Sequence, residues 1–196
     1  LWYMTDENGN RVKTNDYAKA SANPVICGSS NPDFYGGFST SLRWKNLDLS
    51  ANFAYSVGGK VYNYMRMEFD SDGAYTDRNQ MRLKDGWSRW QKKGDIATHP
   101  KAVYGNTSNS NSTSSRYLED ASYLRLRNLT IGYTFPIKKV FSNLRIYMAG
   151  ENLFVLSGFS GIDPEVPPMN NGAATGVAGA VYPQTRKFVF GLNVSF

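Results

Sequence analysis

Cys27 and His99 are the one thiol and the one imidazole of the 196-residue chain, and a thiol nucleophile needs a base held within hydrogen-bond reach. They lie far apart and share no motif, so Cys27 reads as an inert loop thiol and His99 lacks partners at metal-ligand spacing. Asp70-Ser71-Asp72-Gly73, with Asp77, offers part of a calcium loop. It lacks the third alternating oxygen ligand, the glycine at position six and the closing glutamate of an EF-hand, and reads as an acidic turn. The glycines of 172–179 precede no Gly-Lys-Ser/Thr, so they form no phosphate loop. Asp163 and Glu165 would serve a β-rich hydrolase only if a cleft made them acid and base, and no Gly-x-Ser-x-Gly elbow is present. Sequons at Asn106 and Asn111 matter only in a eukaryotic secretory setting. The chain is read as not an enzyme, with no catalytic residue, cofactor or metal expected.

Binding is the remaining chemistry, and charge restricts it. The net charge is +6, yet Lys and Arg are scattered, with only pairs such as Lys92-Lys93 and Lys138-Lys139, so no nucleic-acid face is expected. Charged residues make up 19% of the chain, below the usual quarter of soluble domains. Thirteen Tyr, eleven Phe and eighteen Gly favour β-structure with long turns over a helical bundle. No apolar run reaches about 18 residues, so no transmembrane helix is expected; barrel strands give a weaker signal that such a scan does not see. The chain starts at Leu1 without a basic-then-apolar leader, and it is read as a fragment.

The elements that must position any binding residue alternate with period 2. Leu47, Leu49, Ala51, Phe53, Tyr55 and Val57 interleave with Asp48, Ser50, Asn52, Ala54 and Ser56, which predicts a strand over 47–57. Its length matches the 9–11 residues a tilted strand needs to cross a bilayer. Only Lys45-Asn46 separates it from a strand over 34–44, so the two read as a hairpin. A third strand covers 123–135. There Leu124 and Leu126 fall on the opposite parity from Leu129, Ile131, Tyr133 and Phe135, which implies either a bulge near Arg127-Asn128 or the end of the apolar band. Strands over 144–154 and 187–196 follow.

Connections alternate between short links and the long stretches 58–122 and 155–186. Compact soluble domains rarely hold such loops, whereas outer-membrane barrels have short turns at one end and long extracellular loops at the other. A short helix, interrupted by Gly86, is predicted within 78–93, and the low-complexity run 105–115 is expected to be mobile. Five strands cannot close a barrel of even strand number. The expected organisation is therefore an extracellular loop remnant over 1–33 and a C-terminal barrel segment over 34–196.

Four stretches resemble the C-terminal region of the SusC/RagA-like family of TonB-dependent outer-membrane transporters. They are Asn31-Pro32-Asp33-Phe34-Tyr35-Gly36-Gly37 through the hairpin to Ser56-Val57-Gly58-Gly59-Lys60-Val61-Tyr62-Asn63; Ser122 to Tyr133; Glu151-Asn152-Leu153-Phe154 with Gly161-Ile162-Asp163-Pro164-Glu165; and Tyr182 to Phe188 with the terminal strand. The resemblance implies an all-β fold, about five strands of a 22-stranded transmembrane antiparallel barrel with a plugged lumen. It further implies nutrient uptake across a Gram-negative, Bacteroidetes-like outer membrane. The cargo would be a glycan or a peptide, the partner a SusD-like surface lipoprotein, and the driver the TonB complex acting on an N-terminal plug this chain lacks.

Site residues follow as expectations. Phe188, Phe190, Leu192, Val194 and Phe196 resemble the strand signal that the barrel assembly machinery reads by β-augmentation. Trp44, Tyr133 and Phe135, near short-turn ends, suit an aromatic girdle at the lipid interface. Trp87, Trp90 and Tyr104 either stack on sugar rings or hold their long loop together. The alternative from another class is a secreted β-sandwich that binds carbohydrate without transporting it.

Overall fold

A computed structural model describes residues 2–137, 142–165, 176–180 and 182–195. Its elements are β1 (Trp2–Thr5), β2 (Arg11–Thr14), α1 (Tyr17–Ala22), β3 (Phe34–Trp44), β4 (Leu47–Val57), β5 (Lys60–Asn63), α2 (Tyr64–Phe69), β6 (Leu118–Asp120), β7 (Tyr123–Phe135), β8 (Asn143–Ser157), β9 (Val177–Ala178) and β10 (Lys187–Ser195). They fall into two compact units.

One unit is a five-stranded antiparallel sheet in the order β10-β8-β7-β4-β3. Register settles which side chains share a face. Leu42, Leu49, Ile131, Met148 and Phe190 stand in one transverse row, and Phe38, Phe53, Leu126 and Phe154 in another. The alternate rows are mostly small or polar, as in Ser41, Ser50, Thr130 and Ala149, a row that ends at Val189. The parity problem in β7 is a bulge. Asn52 pairs with Asn128 but Phe53 with Leu126, so Arg127 is the extra residue and Leu126 and Leu129 share the apolar face. On the β8 side Asn128 faces Glu151 and Leu126 faces Phe154. Asn152 absorbs that irregularity at φ 52°, a left-handed conformation asparagine tolerates.

The apolar face is not packed. Phe38, Leu42, Trp44, Phe188, Phe190 and Leu192 are each at least half exposed, and the sheet's buried apolar residues among those described are Ala51 and Leu126. A β-sandwich would cover this face with a second sheet about 10 Å away, and an aqueous monomer rarely leaves so large a patch bare. Eleven-residue strands such as β3 and β4 run about 36 Å, or about 28 Å along the normal at a tilt of about 40°, which matches a hydrocarbon core. The fold is an all-β barrel fragment. Trp44, beside the two-residue turn at 45–46, lies level with Leu47 and Tyr133 across the sheet, and Tyr133 meets Phe135 edge-on at 4.9 Å.

The other unit contains β1, β2, α1 and the long segment Val61–Glu119. Residues 2–22 are built rather than loose. The β1–β2 hairpin turns at Asp6, whose carboxylate accepts the Asn8 and Asn10 amides at 3.0 and 2.7 Å, and Asp16 caps α1 through the Lys19 amide at 3.2 Å. The helix expected within 78–93 does not form; α2 lies earlier, at 64–69. Gly86 sits at φ 82°, and the backbone after it is taken by Trp90 donating to the His99 carbonyl at 2.8 Å and His99 to that of Ser88 at 3.0 Å. The low-complexity run is also tied down: Asn106, 3% exposed, donates to the Ser71 carbonyl at 3.1 Å and to Asn111 Oδ1 at 2.7 Å.

Candidate functional site

On the polar face of the sheet, charges pair across strands. Asp48 on β4 and Arg145 on β8 are separated by β7, a span of about 9.6 Å between backbones. Arg145 still holds Asp48 with two bonds, Nε to Oδ1 at 3.1 Å and Nη2 to Oδ2 at 2.6 Å. Its guanidinium crosses over Gly132, where a Cβ would collide with it. Gly132→Val is expected to displace the pair and cost about 1 kcal/mol, since both partners are partly exposed. Urea unfolding of the folded receptor would read this, and adding Asp48→Asn to the variant should then cost little more.

Higher on the same face, Arg125 is 3% exposed and bonds Asp163, with its Nε 3.2 Å from Glu165 Oε2; Arg127 bonds the other Glu165 oxygen. Asp163 also accepts the Glu165 amide at 2.9 Å. The two acids are thus counter-ions fixing the segment after β8 onto β7. They are not a free acid–base couple, and the hydrolase alternative loses its candidates.

In the unit with the long segment, Asp70 and Asp72 are fully buried. Arg89 reaches Asp72 at 2.6 Å and Asp70 at 3.3 Å. Arg116 bonds both carboxylates, and Ser110 donates to Asp72 at 2.7 Å. Burial pushes the Asp72 carboxyl up, but bonds from Arg116, Ser110 and Arg89 outweigh it and hold it below its ordinary value. These acids are saturated by protein cations, which accounts for the acidic turn without calcium. His99 Nε2 lies 2.8 Å from Asp70 Oδ2, and its ring packs 4.8 Å from that of Trp87.

Burial keeps the His99 imidazole below its ordinary value of 6.5, against the pull of Asp70. An unfolded histidine takes its proton as pH falls through about 6.5, before the folded one does. Stability of this unit is therefore full above about pH 6.5 and declines as pH falls below it toward the folded value. Amide exchange across 61–119, corrected for intrinsic rates, should be faster at pH 5.5 than at 7.5, with His99→Gln abolishing the difference. Equal protection at both pH values would contradict this.

No family model matches the chain. TonB-dependent receptor P3 of Formosa agariphila is 32% identical over 90% of this chain, and TonB-dependent receptor SusC of Bacteroides thetaiotaomicron 25% identical over 97%. The RagAB peptide importer in its closed-closed state superposes over 100% of this chain with a TM-score of 0.72 at 31% identity. The chain is homologous to the SusC/RagA-like TonB-dependent receptors. It spans about a fifth of their length, 18% of P3 and of SusC and 21% of the RagAB chain.

In this SusC/RagA-like chain, several family-resembling residues now have physical roles. Arg125 and Arg127 anchor Asp163 and Glu165, and Asn152 turns the β8 irregularity. Phe188, Phe190, Leu192 and Val194 all point to the apolar face, opposite Gly150, Met148, Ile146 and Leu144; Phe196 lies outside the described residues, as do Lys138-Lys139 and 172–175. The loop aromatics are not brought together as one set. Trp87 is held between His99 and the Arg66 guanidinium, 4.5 Å from its ring. Trp90 lines a cavity, and Tyr104 is 84% exposed. The Asp70–Asp72–Arg89–Arg116–His99 cluster was missed from sequence; two alternating acids in a chain poor in charge were its one signal.

Proposed function

We propose that this chain is part of the wall of an outer-membrane barrel that imports a nutrient, an oligosaccharide or a peptide, in a Gram-negative, Bacteroidetes-like cell. The single observation that carries the reading is the two-faced sheet: one unpacked apolar face as tall as a bilayer core, one polar face cross-linked by Asp48–Arg145 and the Arg125–Asp163 group. The apolar face meets lipid and the polar face lines the lumen. The turn at 45–46 lies in the periplasm beneath the girdle of Trp44, Tyr133 and Phe135, and the stretches 58–122 and 155–186 lie outside the cell. A SusD-like surface lipoprotein lids the barrel, the TonB complex pulls on a plug belonging to the longer protein, and β10 is the strand the assembly machinery engages. Trp90 and Tyr104 are the loop aromatics with ring surface open to cargo.

Deletion of the complete gene in its host tests this. Growth on one polysaccharide or peptide source as sole nutrient should be lost and restored by the intact gene. Undiminished growth on every glycan and peptide source the host uses would overturn the reading.

A further inference from the structure

The two long stretches leave the sheet side by side. Ser56 on β4, Tyr123 on β7 and Ser157 on β8 stand opposite one another across three neighbouring strands. Ser122, the residue before β7, uses its amide, its carbonyl and its hydroxyl at this level. The hydroxyl oxygen accepts the Gly58 amide at 3.0 Å, at the root beyond β4. The carbonyl accepts the Ser157 hydroxyl at 2.7 Å, at the root beyond β8. The Ser122 hydroxyl also donates to the Asp120 carboxylate, as does its amide at 2.8 Å, and together they hold that carboxyl below its ordinary value.

Further bonds tie each root again. The Ala121 amide donates to the Gly59 carbonyl at 3.3 Å, Lys60 meets Asp120 at 3.5 Å, and Ser157 Oγ accepts the Phe159 amide at 3.1 Å. The segment entering β3 closes on the same place, where the Asp33 amide donates to the Val57 carbonyl at 2.9 Å. Gly58 and Gly59 sit at φ 80° and 77°, a conformation glycine adopts without strain. A Cβ on Gly58 would collide with the Asp33 carboxylate, and one on Gly59 would lie 3.2 Å from the Ser30 and Asn31 carbonyls. All of these residues belong to the sheet unit.

Ending two adjacent strands requires no cross-link between their loops, since each root can satisfy its amides from water or from its own turn. Here both roots are built on one residue. We propose that Ser122 is the pin of a clasp coupling the root of 58–122 to the root of 155–186, so that whatever repositions one stretch biases the other. Such coupling is reciprocal: each root loosens the other by the same factor.

Residue-resolved amide exchange of the full-length receptor in detergent tests this. Ser157→Ala removes the donor to Ser122 and the acceptor of the Phe159 amide. It is expected to speed exchange at Phe159 and, across the clasp, at Gly58 and Ala121 by about three- to tenfold, while Leu49 and Ile131 stay protected. Ser157→Thr keeps the hydroxyl and should exchange as the native protein does. Ser122→Ala removes the Gly58 acceptor but keeps the carbonyl that Ser157 bonds; it should speed exchange at Gly58 and, in return, at Phe159. Acceleration confined to Phe159 in Ser157→Ala, or to Gly58 and Ala121 in Ser122→Ala, would show that the roots are independent and would overturn the proposal.

Discussion

Replacing Asp72 with alanine is expected to open the long-loop unit while leaving the sheet intact. Asp72 is fully buried and accepts bonds from Arg89, Arg116 and Ser110. Without it, two guanidinium groups whose side chains are only 15% and 18% exposed must share Asp70 as their remaining carboxylate. Removing one partner of a buried ion pair costs about 3–5 kcal/mol, because the cations it leaves behind must be hydrated or must move. The open state of the unit should rise by about two to nearly four orders of magnitude. The Val103 amide, which donates to the Asp72 carbonyl at 2.9 Å, should lose its exchange protection, and trypsin should cut after Arg89 and Lys92. Amides of β4 and β7 should keep theirs. Asp72→Asn, which preserves shape but keeps one acceptor oxygen and loses the charge, should fall between alanine and the native residue. Unchanged protection at Val103 in the alanine variant would show that the cluster does not hold this unit.

The second large effect lies on the apolar face. Leu129 stands between Ala51 on β4 and Gly150 on β8. It is four residues, about 13 Å along the strand and about 10 Å along the normal, from Tyr133, the proposed girdle position, which puts it near the middle of a band about 25 Å tall. Leu129→Arg is expected to destabilise insertion by about 2–4 kcal/mol, the depth-dependent cost of a cation against lipid. Thr130→Arg, one residue along and on the other face, should cost within about 1 kcal/mol. Refolding the full receptor from urea into lipid vesicles, with folded fraction read from heat-modifiable gel migration, separates the two. Similar losses for both variants would mean that the faces are not lipid and water.

What was legible in the sequence was what local chemistry dictates. The Leu47–Val57 alternation needs no partner to be read, since period 2 follows from the pleat alone. The parity break in 123–135 showed that something changes near Arg127, but choosing between a bulge and the end of the band required the pairing of Asn52 with Asn128 and of Phe53 with Leu126. The expected 78–93 helix failed for a related reason. Met81, Leu83, Trp87 and Trp90 are spaced as on a helix, yet the Met81 amide is committed to the Phe69 carbonyl, the Trp90 amide to that of His99, and the Trp87 ring to Arg66 and His99. The run 105–115 looked featureless because its order rests on the Asn106 side chain reaching back to Ser71. Asp163 and Glu165 were visible as acids, but that they neutralise arginines nearly forty positions earlier is a property of the sheet.

The claim that one face of this sheet meets lipid and the other lines an aqueous lumen is tested most directly by a quenching scan along β7. Single cysteines at 124–126 and 128–134 of the full receptor, with Cys27 replaced by serine, carry a small fluorophore in vesicles. Brominated lipid should quench positions 129, 131 and 133, and aqueous iodide positions 128, 130 and 132. Beyond the Arg127 bulge the order should invert, with 124 and 126 quenched from lipid and 125 from water. Iodide reaching every position, or lipid quenching without alternation, would contradict the account.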